Sequence, residues 1–120
     1  TMSAKEIVQN FYKSDVILES ETVNQFLHPD VVLEWHSTKG FLTLNHDQII
    51  AISAELRKAY VRSKSRITHL VEEGNTVAVR YSHYVKTIEN PREEMLLAHF
   101  MVIWEVKDKK LFRGYQMSQL

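Results

Sequence analysis

The sequence has no cysteine, only three glycines and two prolines, and no excess charge of either sign. The missing cysteine excludes disulfides, thiol nucleophiles and iron–sulfur clusters. The scarcity of Gly and Pro excludes collagen-like and low-complexity character. Fifteen Lys and Arg balance fifteen Asp and Glu. A nucleic-acid coat or a polybasic membrane anchor needs a surplus of positive charge, so neither nucleic acid nor a membrane is expected as partner. The most apolar run, Met95 to Trp104, spans ten residues. A membrane helix needs roughly 20. The opening TMSAKEIVQ lacks the basic start and apolar centre of a secretory signal. A reducing cytoplasm is the expected compartment. What is present is ordinary globular composition, 44% hydrophobic and 25% charged over 120 residues, enough for one domain over 1–120 with a single core.

Helix signals come first. Ser3 and Glu6 have capping-box spacing, and Ile7, Val8, Phe11 and Tyr12 follow on one face. A short helix is expected from Ser20 to Leu27, stopped by Pro29. A third is expected from Asn45 to Tyr60, with Asn45 and Gln48 as its capping box and Arg57, Lys58 and Arg62 at its end. Between the last two, Val31 to His36 reads as a strand, and Gly40 as part of the following loop.

After Tyr60 the period shortens to two. Strands are expected over 66–72, 77–86, 95–106 and 111–117. Turns fall at Glu73-Gly74-Asn75-Thr76, Glu89-Asn90-Pro91-Arg92 and Lys107-Asp108-Lys109-Lys110. Helices followed by a run of strands predict an α+β fold, an antiparallel sheet covered on one face by the helices. In the strand over 95–106, Ala98, Phe100, Val102 and Trp104 face one way, and Leu97, His99, Met101 and Ile103 the other. Both faces are apolar, and helices cover only one. The expected cover for the outer face is a second copy, a homodimer through His99, Met101 and Ile103.

This layout resembles the nuclear transport factor 2-like superfamily, with its SnoaL-like and ketosteroid-isomerase-like members. The resemblance rests on four features. They are the Phe11-Tyr12 pair on the first helix, the Pro29-to-Trp35 segment PDVVLEW, a helix opening at Asn45 after a glycine-containing loop, and final strands paired across Lys107 to Lys110. It implies a curved sheet wrapped around the N-terminal helices as a cone with a pocket, a cystatin-like α+β barrel. It also implies functions that range from isomerase to plain binding protein.

Ketosteroid-isomerase chemistry needs a carboxylate base, a Tyr donor and a protonated Asp donor. Tyr12 stands at the position of the donor Tyr. The base position, five residues after Asp30, holds Trp35, and the second donor position holds Val102. Glu34 is one residue from the base position and alternates to the other face. Two of the three groups are missing, so that reaction is not expected.

Two readings follow. In the first, the cone binds a small, largely apolar molecule lined by Trp35, Tyr81, Phe100 and Trp104. In the second, an isomerase, cyclase or lyase uses His83 or His36 as base and Tyr12 as donor, since an unperturbed imidazole titrates near working pH. The binding reading requires a cavity of more than roughly 100 Å³. No HExxH, HxH or glycine-rich phosphate loop occurs, so neither metal nor cofactor is expected. The basic run Arg57, Lys58, Arg62, Lys64 and Arg66 reads as a helix end and a solvated strand.

Overall fold

The computed structural model describes residues 2–120. Helix α1 (Ala4–Phe11) starts where the capping box requires. Ser3 Oγ accepts from the Glu6 N–H, and Glu6 returns the bond to the Ser3 N–H. Its apolar face buries Ile7, Val8 and Phe11. A single 3₁₀ turn (Val16–Leu18) leads into α2 (Ser20–Phe26). Helix α2 is capped at Glu19 rather than Ser20, with no side-chain cap. The Ser20 hydroxyl instead donates to Ser53 Oγ on α3 (His46–Ala59), 3.4 Å away. Helix α3 carries the predicted Asn45–Gln48 capping box.

Six strands form one sheet. They are β1 (Leu27–Ser37), β2 (Gly40–Asn45), β3 (Tyr60–Glu73), β4 (Thr76–Thr87), β5 (Met95–Lys107) and β6 (Lys110–Gln119). Their spatial order is β2-β1-β6-β5-β4-β3, open at both edges. Every pairing is antiparallel except β1 with β6, which is parallel. The sheet is thus mixed at one seam, where the expectation was antiparallel throughout. Register shifts interrupt every pairing except β1 with β2. Each bulge bends its strand and increases the twist, which curves the sheet around the helices as the predicted cone.

Two features depart from the sequence reading. Gly40 (φ +124°) opens strand β2 instead of lying in a loop, and β1 and β2 form a hairpin. Strand β3 begins at Tyr60, directly off the end of α3. The β5–β6 turn has Asp108 and Lys109 both in the left-handed region, φ 54° and 61°. That is the two-residue turn whose twist matches antiparallel strands.

The core lies between the helices and the concave face. Val77, Val79, Tyr81, His83 and Val85 point inward from β4, as the alternation predicts. Phe11 packs edge-on against Tyr12, Phe26 and Trp104. Gly114 of β6 lies under the Trp104 ring. A Cβ there would meet Trp104 and Leu33 at 2.6 Å, so the ring's seat depends on the missing side chain. On the convex side Met101, Ile103, Tyr115 and Met117 are exposed. No helix among the described residues is long and apolar enough to cross a membrane.

Candidate functional site: a cavity inside the cone

A cavity of about 100 Å³ lies between the helices and the concave face of the sheet. Helices and their connection contribute Phe11, Tyr12, Ile17, Ile49, Ile52 and Leu56, and the sheet contributes Leu33, Trp35, Leu44, Ser65, Tyr81, His83, Phe100, Trp104 and Gln116. No Asp or Glu lines it, and Lys13 borders it as an exposed residue. The volume sits at the lower bound for a fragment and below the roughly 300–1,000 Å³ of ordinary ligand pockets.

Aromatic rings form its floor and sides. Tyr81 and Phe100 face each other across β4 and β5 and stack at 5.0 Å, 7° from parallel. Tyr12 leans over Tyr81 at 4.6 Å. Trp35 stands 6.3 Å from Phe100, its Nε1 donating to Ser118 Oγ at 2.8 Å. Trp35 and Phe100 also border a second groove of about 320 Å³ beside Phe41, Leu42 and Leu97. These two rings therefore form the wall between inner cavity and outer groove.

The polar groups are few. Trp104 Nε1 donates to the Tyr12 hydroxyl at 2.8 Å, and the Tyr81 hydroxyl is the other hydrogen-bonding neighbour of Tyr12. Burial raises the Tyr12 pKa, and burial together with the neighbouring Tyr12 hydroxyl raises that of Tyr81. Both stay neutral donors at physiological pH.

His83 shares a 2.6 Å hydrogen bond between its Nε2 and Ser63 Oγ. Ser63 is itself held by Asp15. The Ser63 N–H donates to Asp15 Oδ1, the Asp15 N–H donates to the Ser63 carbonyl, and Arg62 pins the other carboxylate oxygen. This clamp keeps Asp15 in the left-handed region at φ 69° and fixes the serine against the ring. Burial lowers the His83 pKa to about 4, so the imidazole is neutral, and among the described residues its Nδ1 has no partner.

Tyr12, Trp35, Tyr81, His83, Phe100 and Trp104 thus line one cavity. His36 does not. It follows Trp35 by one residue, and the two-residue period turns it to the convex face. There it is exposed, its ring against Phe41 at 4.4 Å, and it borders a hollow with Met101 and Met117. His36 therefore does not share the cavity with Tyr12. Glu34 faces outward with it.

Gln116 was missed. It is 8% exposed and lies opposite Val102 on β5 and Trp35 on β1, and its amide, with no hydrogen bond among the described residues, meets accessible space in the cavity. Its neighbours Tyr115 and Met117 are the more apolar pair, so alternation alone assigns the core to the wrong face of this strand. The signal was the register with Trp35.

The basic run is dispersed. Arg57, Lys58, Arg62 and Arg66 each lie within ion-pair distance of an acid, Glu19, Glu55, Asp15 and Glu94 respectively. Among the described residues no three His, Asp or Glu side chains gather as a metal site.

A wrapped sheet with an apolar, aromatic-floored cavity defines the class, and comparison with known proteins agrees. The sequence profile of the SnoaL-like domain matches residues 8–114, and the chain belongs to that family. Among solved structures it is similar to IdmH of Streptomyces antibioticus, described as a candidate polyketide cyclase (TM-score 0.76, 13% identity, 98% of this chain and 92% of that one). It is also similar to a Mycobacterium tuberculosis LEH-like epoxide hydrolase (0.73, 14%, 96% and 81%). A third is a Catenulispora acidiphila protein with a ketosteroid-isomerase-like fold (0.70, 12%, 92% and 83%). At these identities the likeness is one of fold. No curated protein matches the sequence significantly.

Proposed function

We propose that the chain binds a small, neutral, largely apolar ring compound in the cone, and that it does so as a homodimer. The observation that carries this reading is the cavity lining, aromatic and aliphatic with no carboxylate. Burial of a ring there gains from apolar contact, with Tyr12, His83 and Gln116 as the polar groups that orient it. The volume of about 100 Å³ restricts the ligand to one small ring while Trp35 keeps its place. Comparable engineered apolar cavities of about 150 Å³ take up benzene.

The test is an NMR titration of the labelled protein with toluene. Saturable shifts at Phe100, Tyr81 and Ile52 are expected, and Ile52→Trp, which fills the space, should abolish them. No shift at the solubility limit of toluene would overturn the reading.

A second reading, an enzyme of proton transfer, is favoured by one observation: His83 and Tyr12 line the same cavity, the first neutral with Nδ1 unengaged, the second a neutral hydroxyl. Deuterium exchange at the α-carbon of cyclohexanone separates the two. Protein-dependent exchange that His83→Gln removes supports the enzyme. Exchange at the buffer rate supports the binder.

A further inference from the structure

The amide of Gln116 is the unexplained group in the cavity. Polar side chains in a protein interior are almost always paired, so an amide that meets a cavity with no protein partner is available to a ligand. Gln116 as a residue is more than nine-tenths buried and lines the cavity, and its amide, which no hydrogen bond engages among the described residues, still meets accessible space there. Its position in the sheet is well defined. On one side stands Trp35, its register partner on β1, and on the other Val102. Phe100, two residues along β5 from Val102, offers the flat face of the Tyr81–Phe100 stack.

We propose that Gln116 selects the ligand, and that the ligand is a neutral planar ring carrying a hydrogen-bond donor and an acceptor side by side, as in a lactam or a primary carboxamide. This rests on the binding reading above. The amide has an acceptor and a donor on adjacent atoms. A ketone engages only the NH₂ and leaves the oxygen bare; a phenol that donates to the oxygen leaves the NH₂ bare. A lactam or carboxamide edge satisfies both through two parallel bonds. The ligand is neutral because no charged side chain lies inside to pair with it. Acidic residues are absent from the lining, Lys13 is exposed, and burial keeps His83 uncharged. An ionised ring would lose its water and find no counter-charge.

Three ring probes of similar size test this by protein-observed NMR: 2-pyridone, toluene and benzoate. The Gln116 side-chain NH₂ signal is expected to shift with 2-pyridone and not with toluene. Gln116→Met, which keeps the chain length, should weaken 2-pyridone at least about tenfold relative to toluene. Gln116→Leu should do the same and guards against one badly folded variant. Equal effects of these substitutions on 2-pyridone and toluene overturn the assignment, and the binding reading then stands without it. Binding of benzoate as tight as that of 2-pyridone overturns the neutral ligand. If none of the probes binds the unaltered protein, the assignment falls together with the pocket reading.

Discussion

His83 pairs through Nε2 with Ser63 in a site that disfavours the charged ring. Burial lowers its pKa from 6.5 to about 4. The unfolded chain binds the proton near pH 6.5, the folded chain only near 4, so the unfolded state holds more protons in between. The stability contributed by the buried neutral ring is whole above about pH 6.5 and is lost as pH falls toward 4, by roughly 3 kcal/mol in all. Urea denaturation at pH 7 and pH 4.5 measures this. His83→Gln keeps a polar partner for Ser63 and should lose roughly 2–3 kcal/mol less than the unaltered protein between those two values. Every other residue is common to both proteins, so the difference reports on His83 alone. Identical losses would show that the ring does not couple protonation to folding. At this scale the sequence was legible wherever the two-residue period was regular. It put Tyr81 and His83 on the inner face of β4, and Phe100 and Trp104 on that of β5. The same period, carried from Trp35, sends His36 outward. Gln116 escaped because an inward polar residue beside Tyr115 and Met117 reads as solvent-facing until its strand partners are known.

Elements were legible where backbone chemistry announces them. Two capping boxes marked α1 and α3, and polar turns marked three of the strand connections. Strand β2 gave no such signal. It is an edge strand in which Leu44 alone is buried, so no apolar alternation appears. The start of β3 was equally silent, because Tyr60 caps α3 and opens the strand with no Gly or Pro between. The parallel β1–β6 seam depends on contacts distant in sequence, beyond any local pattern. That seam makes β6 central, with β1 on one side and β5 on the other. At Gly114 side chains from both neighbouring strands close over the backbone. A methyl there meets Leu33 Cδ1 and Trp104 Cζ3 at 2.6 Å, both held inside the core. Gly114→Ala should therefore cost about 1–3 kcal/mol by overpacking. It should also lift the indole from Tyr12, to which Trp104 donates at 2.8 Å. A lowered urea midpoint with altered tryptophan fluorescence is expected; an unchanged midpoint would mean that the sheet opens to take the methyl freely.

For the whole molecule, the decisive surface is the convex face of the sheet. Met101 is 61% and Met117 62% exposed, and they are paired across β5 and β6. The next pair, Ile103 and Tyr115, extends the same stripe. The helices lie wholly on the concave side, so nothing within one chain covers this stripe. A contiguous apolar stripe of this kind is the mark of an interface on a soluble protein. A second copy is the occupant we propose, because a two-fold axis lets the stripe meet itself, methionine pair against methionine pair, without a matching partner surface. Balanced charge over the chain, fifteen of each sign, sets no net repulsion between two copies. Light scattering at micromolar concentration should then give about 28 kDa, twice the 14.1 kDa chain. Met101→Lys combined with Met117→Lys places like charges at the centre of the contact and should return the mass to that of one chain. The double variant should keep its circular dichroism and its affinity for toluene, since both side chains point away from the cavity. A single-chain mass for the unaltered protein would remove the dimer. A variant that stays dimeric would place the contact on another face.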